Sequence, residues 1–191
     1  MRIRVHRSDG KVGVYSQDVA HRAEVLIKRL DPATLFTSGP IVIGIHNPFS
    51  ILNPDEVCWV EVESELPAQR TLPPGIQSLR MLAGREEYEA LLAGQWPQWR
   101  KFRKGAKGDL LEALVELSLR GGGTVFLHVV GVVEDVNLAH EFFGVPAITA
   151  SLGPDRVAYI NARCIVRARV YHSKDQVEYP SGIWFADADD I

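Results

Sequence analysis

The chain has 191 residues, 46% of them hydrophobic and 24% charged, with a formal net charge of −3. This composition excludes a disordered polar chain, and the slight acidity excludes wholesale polyanion binding while leaving a local basic patch open. No apolar run approaches the roughly 20 residues that span a bilayer. The charged start "MRIRVHRSDG" has no apolar signal core, so a cytoplasmic address is the expectation.

"RIRVHRSDGKVGVYS" predicts a β-hairpin: Ile3 and Val5 alternate with arginines, and Asp9-Gly10 suits a turn that needs a positive φ. Apolar residues at 19, 23, 26, 27 and 30 predict an amphipathic helix over 18–30, N-capped by Asp18 and ended by Asp31-Pro32. The β-branched run from Ile41 to Ile45 predicts a buried strand, "PFSIL" a short one, and "EVCWVEVES" a strand with one apolar face. Three prolines make residues 64–76 a connector; "QSLRMLA" reads as a strand, and residues 85–94 as a short helix ended by Gly94. "DLLEALVELSLR" predicts a helix that starts at Asp109 and stops at the triple glycine 121–123. "TVFLHVVGVV", "PAITASL" and "DRVAYINARCIVRARVYH" predict strands, interrupted by a polar insertion near 134–144, and the acidic end "ADADDI" frays.

Two stretches resemble each other. At an offset of 100, Leu52, Pro54, Asp55 and Val57 recur as Leu152, Pro154, Asp155 and Val157, and Trp59 matches Tyr159. A helix and an apolar strand are predicted upstream of each copy. The expected fold class is therefore strand-rich α+β: two diverged helix-plus-antiparallel-strand units from an internal duplication, a pseudo-dimer. The units run over 1–64 and 96–172, with a Pro-rich connector, strand and helix at 65–95 and a tail at 173–191. The alternative is two ordinary hairpins that share turn chemistry.

The run "GPIVIGIHNP…DEVCWVEVESELP…LPPGIQSLRMLAGREEYEALLAG", residues 39–94, resembles GyrI-like effector-binding domains. The resemblance implies a duplicated β-α-β-β fold that binds small molecules in the groove between its halves, and it carries over no ligand residue. After residue 100 the chain departs from that pattern.

The strongest local feature is basic and aromatic. Trp96, Trp99, Arg100, Lys101, Arg103, Lys104 and Lys107 crowd into one segment with Phe102, where cations can neutralise phosphates and indoles can stack. The competing reading is a solvated loop whose tryptophans pack on the core. Cys58 and Cys164 form no metal or redox spacing and lie in strand-like runs, so buried reduced thiols are expected. The six histidines show no metal-ligand spacing; His128, in an apolar strand, reads as a satisfied core residue, and Glu134, Asp135, His140 and Glu141 form a loose polar group. Nucleophile-elbow and phosphate-loop motifs are absent. No cofactor, metal or catalytic residue is assigned, and catalysis is not the favoured reading.

Three functions follow as expectations. The first is a non-catalytic interaction or assembly protein that self-associates or takes a protein partner through strand edges or exposed aromatics. The second is a small-molecule sensor with a pocket between the halves, taking a small anionic ligand in one form. The third, least favoured, is nucleic-acid or polyanion binding through 96–107.

Overall fold

The computed structural model describes residues 1–44, 49–73, 75–99, 110–132 and 143–172, with backbone only for 96–99, 110–111 and 132. Alternating side chains dominate the fold. Nine of eleven strands form one sheet: β1 (Arg2–Arg7), β2 (Val12–Ser16), β5 (Val57–Glu63), β6 (Ile76–Met81), β7 (Leu110–Leu119), β8 (Thr124–Val132), β9 (Ala147–Gly153), β10 (Arg156–Asn161) and β11 (Ile165–His172). Their order across the sheet is β11-β7-β8-β6-β9-β10-β5-β1-β2, with every pair antiparallel except β6–β9. The remaining two, β3 (Ile41–Ile43) and β4 (Ser50–Leu52), pair only with each other. Helices α1 (Ala20–Arg29) and α2 (Arg85–Trp99) cover parts of the sheet. A strand-rich α+β fold is thus what forms.

Two apolar cores lie on opposite sides of the central strands. The first gathers Ile3, Val5, Ile27, Leu30, Phe36, Val60 and Val62, and takes Val157 and Tyr159 from β10. The second gathers Val115, Leu117, Leu127, Val129, Ile148, Ala150 and Ile160, and takes Cys58 from β5. Because successive residues of a strand face opposite ways, β10 serves both cores: Val157 and Tyr159 on one side, Ile160 on the other. A third cluster, Leu82, Tyr88, Leu114 and Phe126, seats α2 on the outer face of β7 and β8.

The predicted helix at 109–120 is instead strand β7. Ala113, Val115, Leu117 and Leu119 face the second core in strict alternation, while the other face carries Glu112, Glu116 and Ser118 with only Leu114 packed under α2, so the period of two is present beneath a composition rich in helix formers. Burial between two layers overrides the helix propensity of its Leu, Glu and Ala. Two caps also differ. Helix α1 has Val19 at its N-cap with no side-chain bond, the Val19 N–H being taken by Gln17 Oε1 at 3.1 Å. Gly94 lies inside α2, which runs on to Trp99.

One arrangement occurs at two places in the chain. In each, a hairpin is followed later by a second hairpin, an asparagine, a 3₁₀ turn and a last strand that pairs back on the first. The members are β1–β2, β3–β4, Asn53, Pro54–Glu56 and β5, then β7–β8, β9–β10, Asn161, Ala162–Cys164 and β11. Both opening hairpins turn through a glycine with positive φ, Gly10 at 78° and Gly122 at 85°. The closing bonds correspond, Arg7 N–H to Lys11 O and Leu119 N–H to Gly123 O. Asn53 accepts from Asp55 N–H, and Asn161 accepts from Arg163 N–H. The last strands each bulge at their second residue: Cys58 is left over between Val57 and Trp59, and Val166 between Ile165 and Arg167.

The stretches that look alike in sequence do not hold these equivalent places. Pro54-Asp55 opens a 3₁₀ turn after β4, whereas Pro154-Asp155 is the two-residue turn joining β9 to β10. Proline and aspartate suit both turns, one setting φ and the other bonding backbone, which makes the phrases similar. Over residues 39–94, the stretch of the effector-domain resemblance, the elements run β3, β4, β5, β6 and α2.

Candidate functional site

Four features of the described residues invite a chemical reading. The first is centred on Glu61 in β5. Its Oε1 lies 2.9 Å from His6 Nε2 and accepts from Trp59 Nε1 at 3.4 Å; its Oε2 lies 3.2 Å from Arg156 Nη2 and 3.5 Å from Arg4 Nη1. His6 also stacks on Trp59, with ring centroids 3.9 Å apart. The pleat explains the assembly: Arg4 and His6 of β1 and Arg156 and Ala158 of β10 flank Glu61 and its neighbours on one face. His6 chiefly, with Trp59 and Arg156, holds the Glu61 carboxyl down at about 2 against the cost of its burial. A carboxylate held so firmly ionised is a poor proton donor near neutrality. It ties β1, β5 and β10 together.

The second feature is His128 on β8. Its Nε2 lies 2.8 Å from Glu112 Oε1, which also accepts from Gln95 Nε2 of α2 at 3.0 Å. His128 is therefore a partly exposed member of a polar trio, not an apolar core residue. Among the described residues no serine or cysteine bonds to its ring, so the trio anchors the far end of α2 and activates no nucleophile seen there. Beside it, Glu87 accepts from Ala83 N–H at 2.7 Å and from Arg80 at 2.6 Å, fixing the helix start.

The third feature is the thiol pair. Cys58 and Cys164, the chain's only two cysteines, are both buried and free, and each influences the titration of the other. Cys58 also donates to Arg120 O and Cys164 to Asp55 O and Val57 O, each at 3.5 Å. Burial raises both thiols, Cys164 to about 12, so neither offers a nucleophilic thiolate near neutrality. No group of three or more His, Cys, Asp or Glu able to hold a metal ion occurs among the described residues.

The fourth feature is apolar and exposed. In the β3–β4 hairpin, Ile41, Ile43 and Leu52 pack on the first core, leaving Val42 and Ile51, which stand directly opposite each other, on the outer face. Val42 is 58% and Ile51 62% exposed, and Phe49 beside them 57%. Neither outer edge of this two-stranded sheet pairs with another strand among the described residues, and β11 and β2 likewise end the large sheet. Open edges and exposed β-branched side chains are features that strand pairing between chains uses.

A groove of about 610 Å³ lies where the end of β5 and the following connector meet the β9–β10 turn, lined by Val62, Ser64, Arg70, Asp155 and Arg156 among others. It sits between strands of the two parts of the chain.

Of the sequence-predicted site, Trp96 and Trp99 fall on the last turns of α2, and their side chains lie outside the described atoms. Arg100, Lys101, Arg103, Lys104 and Lys107 lie outside the described residues, as do Glu134, Asp135, His140 and Glu141. The structure brings together instead His6, Trp59, Glu61 and Arg156, and exposes Val42, Phe49 and Ile51. The alternation of "EVCWVEVES" carried a signal for Glu61: a carboxylate in register with Trp59 on an inward-facing row. Phe49 and Ile51 carried none, because an apolar strand reads as buried whichever face is covered.

No described helix is long and apolar enough to cross a membrane. No protein family, curated protein or solved structure matches the chain.

Proposed function

We propose that this chain is a non-catalytic assembly protein of two related halves, descended from one duplicated unit, which self-associates through its strand edges. The observation that supports this most is the β3–β4 hairpin, which presents Val42, Phe49 and Ile51 to solvent while both its outer edges lack a strand partner among the described residues. The recurring order of hairpins, asparagine, 3₁₀ turn and bulged last strand favours two related halves. The ionisable clusters are consistent with a scaffold role: Glu61 and Glu112 accept several bonds, and both thiols sit high. Light scattering over a range of concentrations tests the reading. A mass above the 21.2 kDa of one chain is expected, and a strict single-chain mass contradicts it.

A second reading, a small-molecule module, rests on the groove beside Arg70 and Arg156. Thermal-shift titration with small carboxylates and phosphates tests it; no shift with either class removes it.

A further inference from the structure

We propose that the partner of the β3–β4 hairpin is a second copy of this chain, with β4 adding to the edge of β11 that no strand takes among the described residues. This deepens the assembly reading and rests on it. The register comes from the chain's own pairing of β10 with β5.

The β9–β10 hairpin has one face on its own core, through Ile148, Ala150 and Ile160, and its other face on the first core, through Val157 and Tyr159. It reaches the first core by pairing β10 to the edge of β5, with Tyr159 opposite Val60 and Val157 opposite Val62. The β3–β4 hairpin is built in the same way on one side only. Ile41, Ile43 and Leu52 meet their own core, and Val42 and Ile51 stand where Thr149 and Tyr159 stand in the other hairpin. Thr149 is 2% and Tyr159 0% exposed, so the equivalent face is fully covered there and bare here.

The missing surface for that bare face is β11, the equivalent of β5. Aligning Asn53 with Asn161, and the bulges at Cys58 and Val166, places Ala168 and Val170 where β5 has Val60 and Val62. Those two side chains lie partly buried at the rim of the second core. The transferred register sets Leu52 opposite Arg167, Ile51 opposite Ala168, Ser50 opposite Arg169 and Phe49 opposite Val170. Ile51 and Phe49 then close over the second core of the neighbouring copy, as Tyr159 and Val157 close over the first core within the chain. Within one chain the hairpin is held on the first core by Ile41, Ile43 and Leu52, so its bare face serves another molecule. Each copy donates one β4 and accepts one, a head-to-tail pairing that links copies into a closed ring or an open chain according to the rotation between them.

The test is light scattering on the full chain beside three variants. Ile51→Asp places a charge in the proposed seam at a position 62% exposed in the single chain, so folding, followed by circular dichroism, is retained. Ile51→Val keeps the seam apolar. Val14→Asp places the same charge on β2, the other open edge, where Val14 is 50% exposed. The expected result is a mass of two or more chains for wild type, Ile51→Val and Val14→Asp, and one chain for Ile51→Asp, with at least a tenfold weaker association. An oligomer that survives Ile51→Asp, or that dissociates with Val14→Asp instead, overturns this inference and leaves the assembly reading standing. A wild-type chain that stays single overturns both.

Discussion

Asn161→Ala is the substitution whose cost the structure specifies best. Asn161 is fully buried; its Nδ2 donates to Pro54 O at 3.0 Å and Val57 O at 2.9 Å, and its Oδ1 accepts from Arg163 N–H at 3.1 Å. One side chain thus shapes its own 3₁₀ turn and clamps it to the turn that precedes β5. At about 1 kcal/mol net per hydrogen bond, the truncation costs about 3 kcal/mol. For a chain of this size that lowers Tm by about 6–12 °C. Asn53, its counterpart, is exposed and makes one bond, to Asp55 N–H at 3.2 Å, so Asn53→Ala costs only about 0.5–1 kcal/mol. Urea unfolding of both variants gives the comparison directly. Asn161→Ala costing no more than Asn53→Ala would refute the claim that this residue joins the two turns.

Three further predictions concern stability and reactivity. Glu61→Gln destabilises the fold by about 2–3 kcal/mol near pH 6, because the folded carboxyl titrates at about 2, below its unfolded value. That stabilisation is present above the unfolded value and is lost as pH falls toward 2, so the gap between wild type and variant should close over that window in acid-denaturation curves; a gap independent of pH counts against it. Cys58 and Cys164 should resist a thiol-titrating disulfide reagent at pH 8 in the native protein and react once urea unfolds it, since burial raises both thiols. Gly121→Ala should cost more than about 3 kcal/mol, because a Cβ there would lie 1.7 Å from the Ser8 carbonyl oxygen at a φ of 81°. Gly122→Ala, with open space and a φ of 85°, should cost about 1–2 kcal/mol. Equal losses would mean that the β7–β8 turn does not press on the β1–β2 turn at Ser8.

Much of the scaffold was legible because its signals are local. The Asp9-Gly10 turn, the alternation in β1 and the apolar runs of β8 and β9 each announce themselves within a few residues. The miss at β7 has a physical cause: its odd positions alternate into the second core, but the one apolar residue on the other face, Leu114 under α2, adds helix-like spacing, and Leu, Ala and Glu then read as helix. The equivalence of Asn53 and Asn161 was hidden for another reason. What the two turns share is one acceptor oxygen and a backbone path, and Pro-Asp-Glu against Ala-Arg-Cys preserves neither charge nor size. The louder Pro-Asp likeness reported turn chemistry alone. Of the Glu61 cluster only Trp59 shares a segment with Glu61; Arg4, His6 and Arg156 arrive through strand pairing with β1 and β10.

The measurement that bears most directly on the assembly is a cross-link between positions 51 and 168. Cysteines at Ile51→Cys and Ala168→Cys would stand directly opposite each other in the proposed seam, about 4.5–5.5 Å apart at Cβ, close enough for a disulfide to form with small adjustment. Cys58 and Cys164 are buried and do not compete. Under mild oxidation the double variant should run as a ladder of two or more linked chains on a non-reducing gel and return to one chain with reductant. Each single variant should give no such ladder of linked chains through the native seam. An oxidised double variant that stays at the mass of one chain would contradict the pairing of β4 with the β11 edge of a second copy.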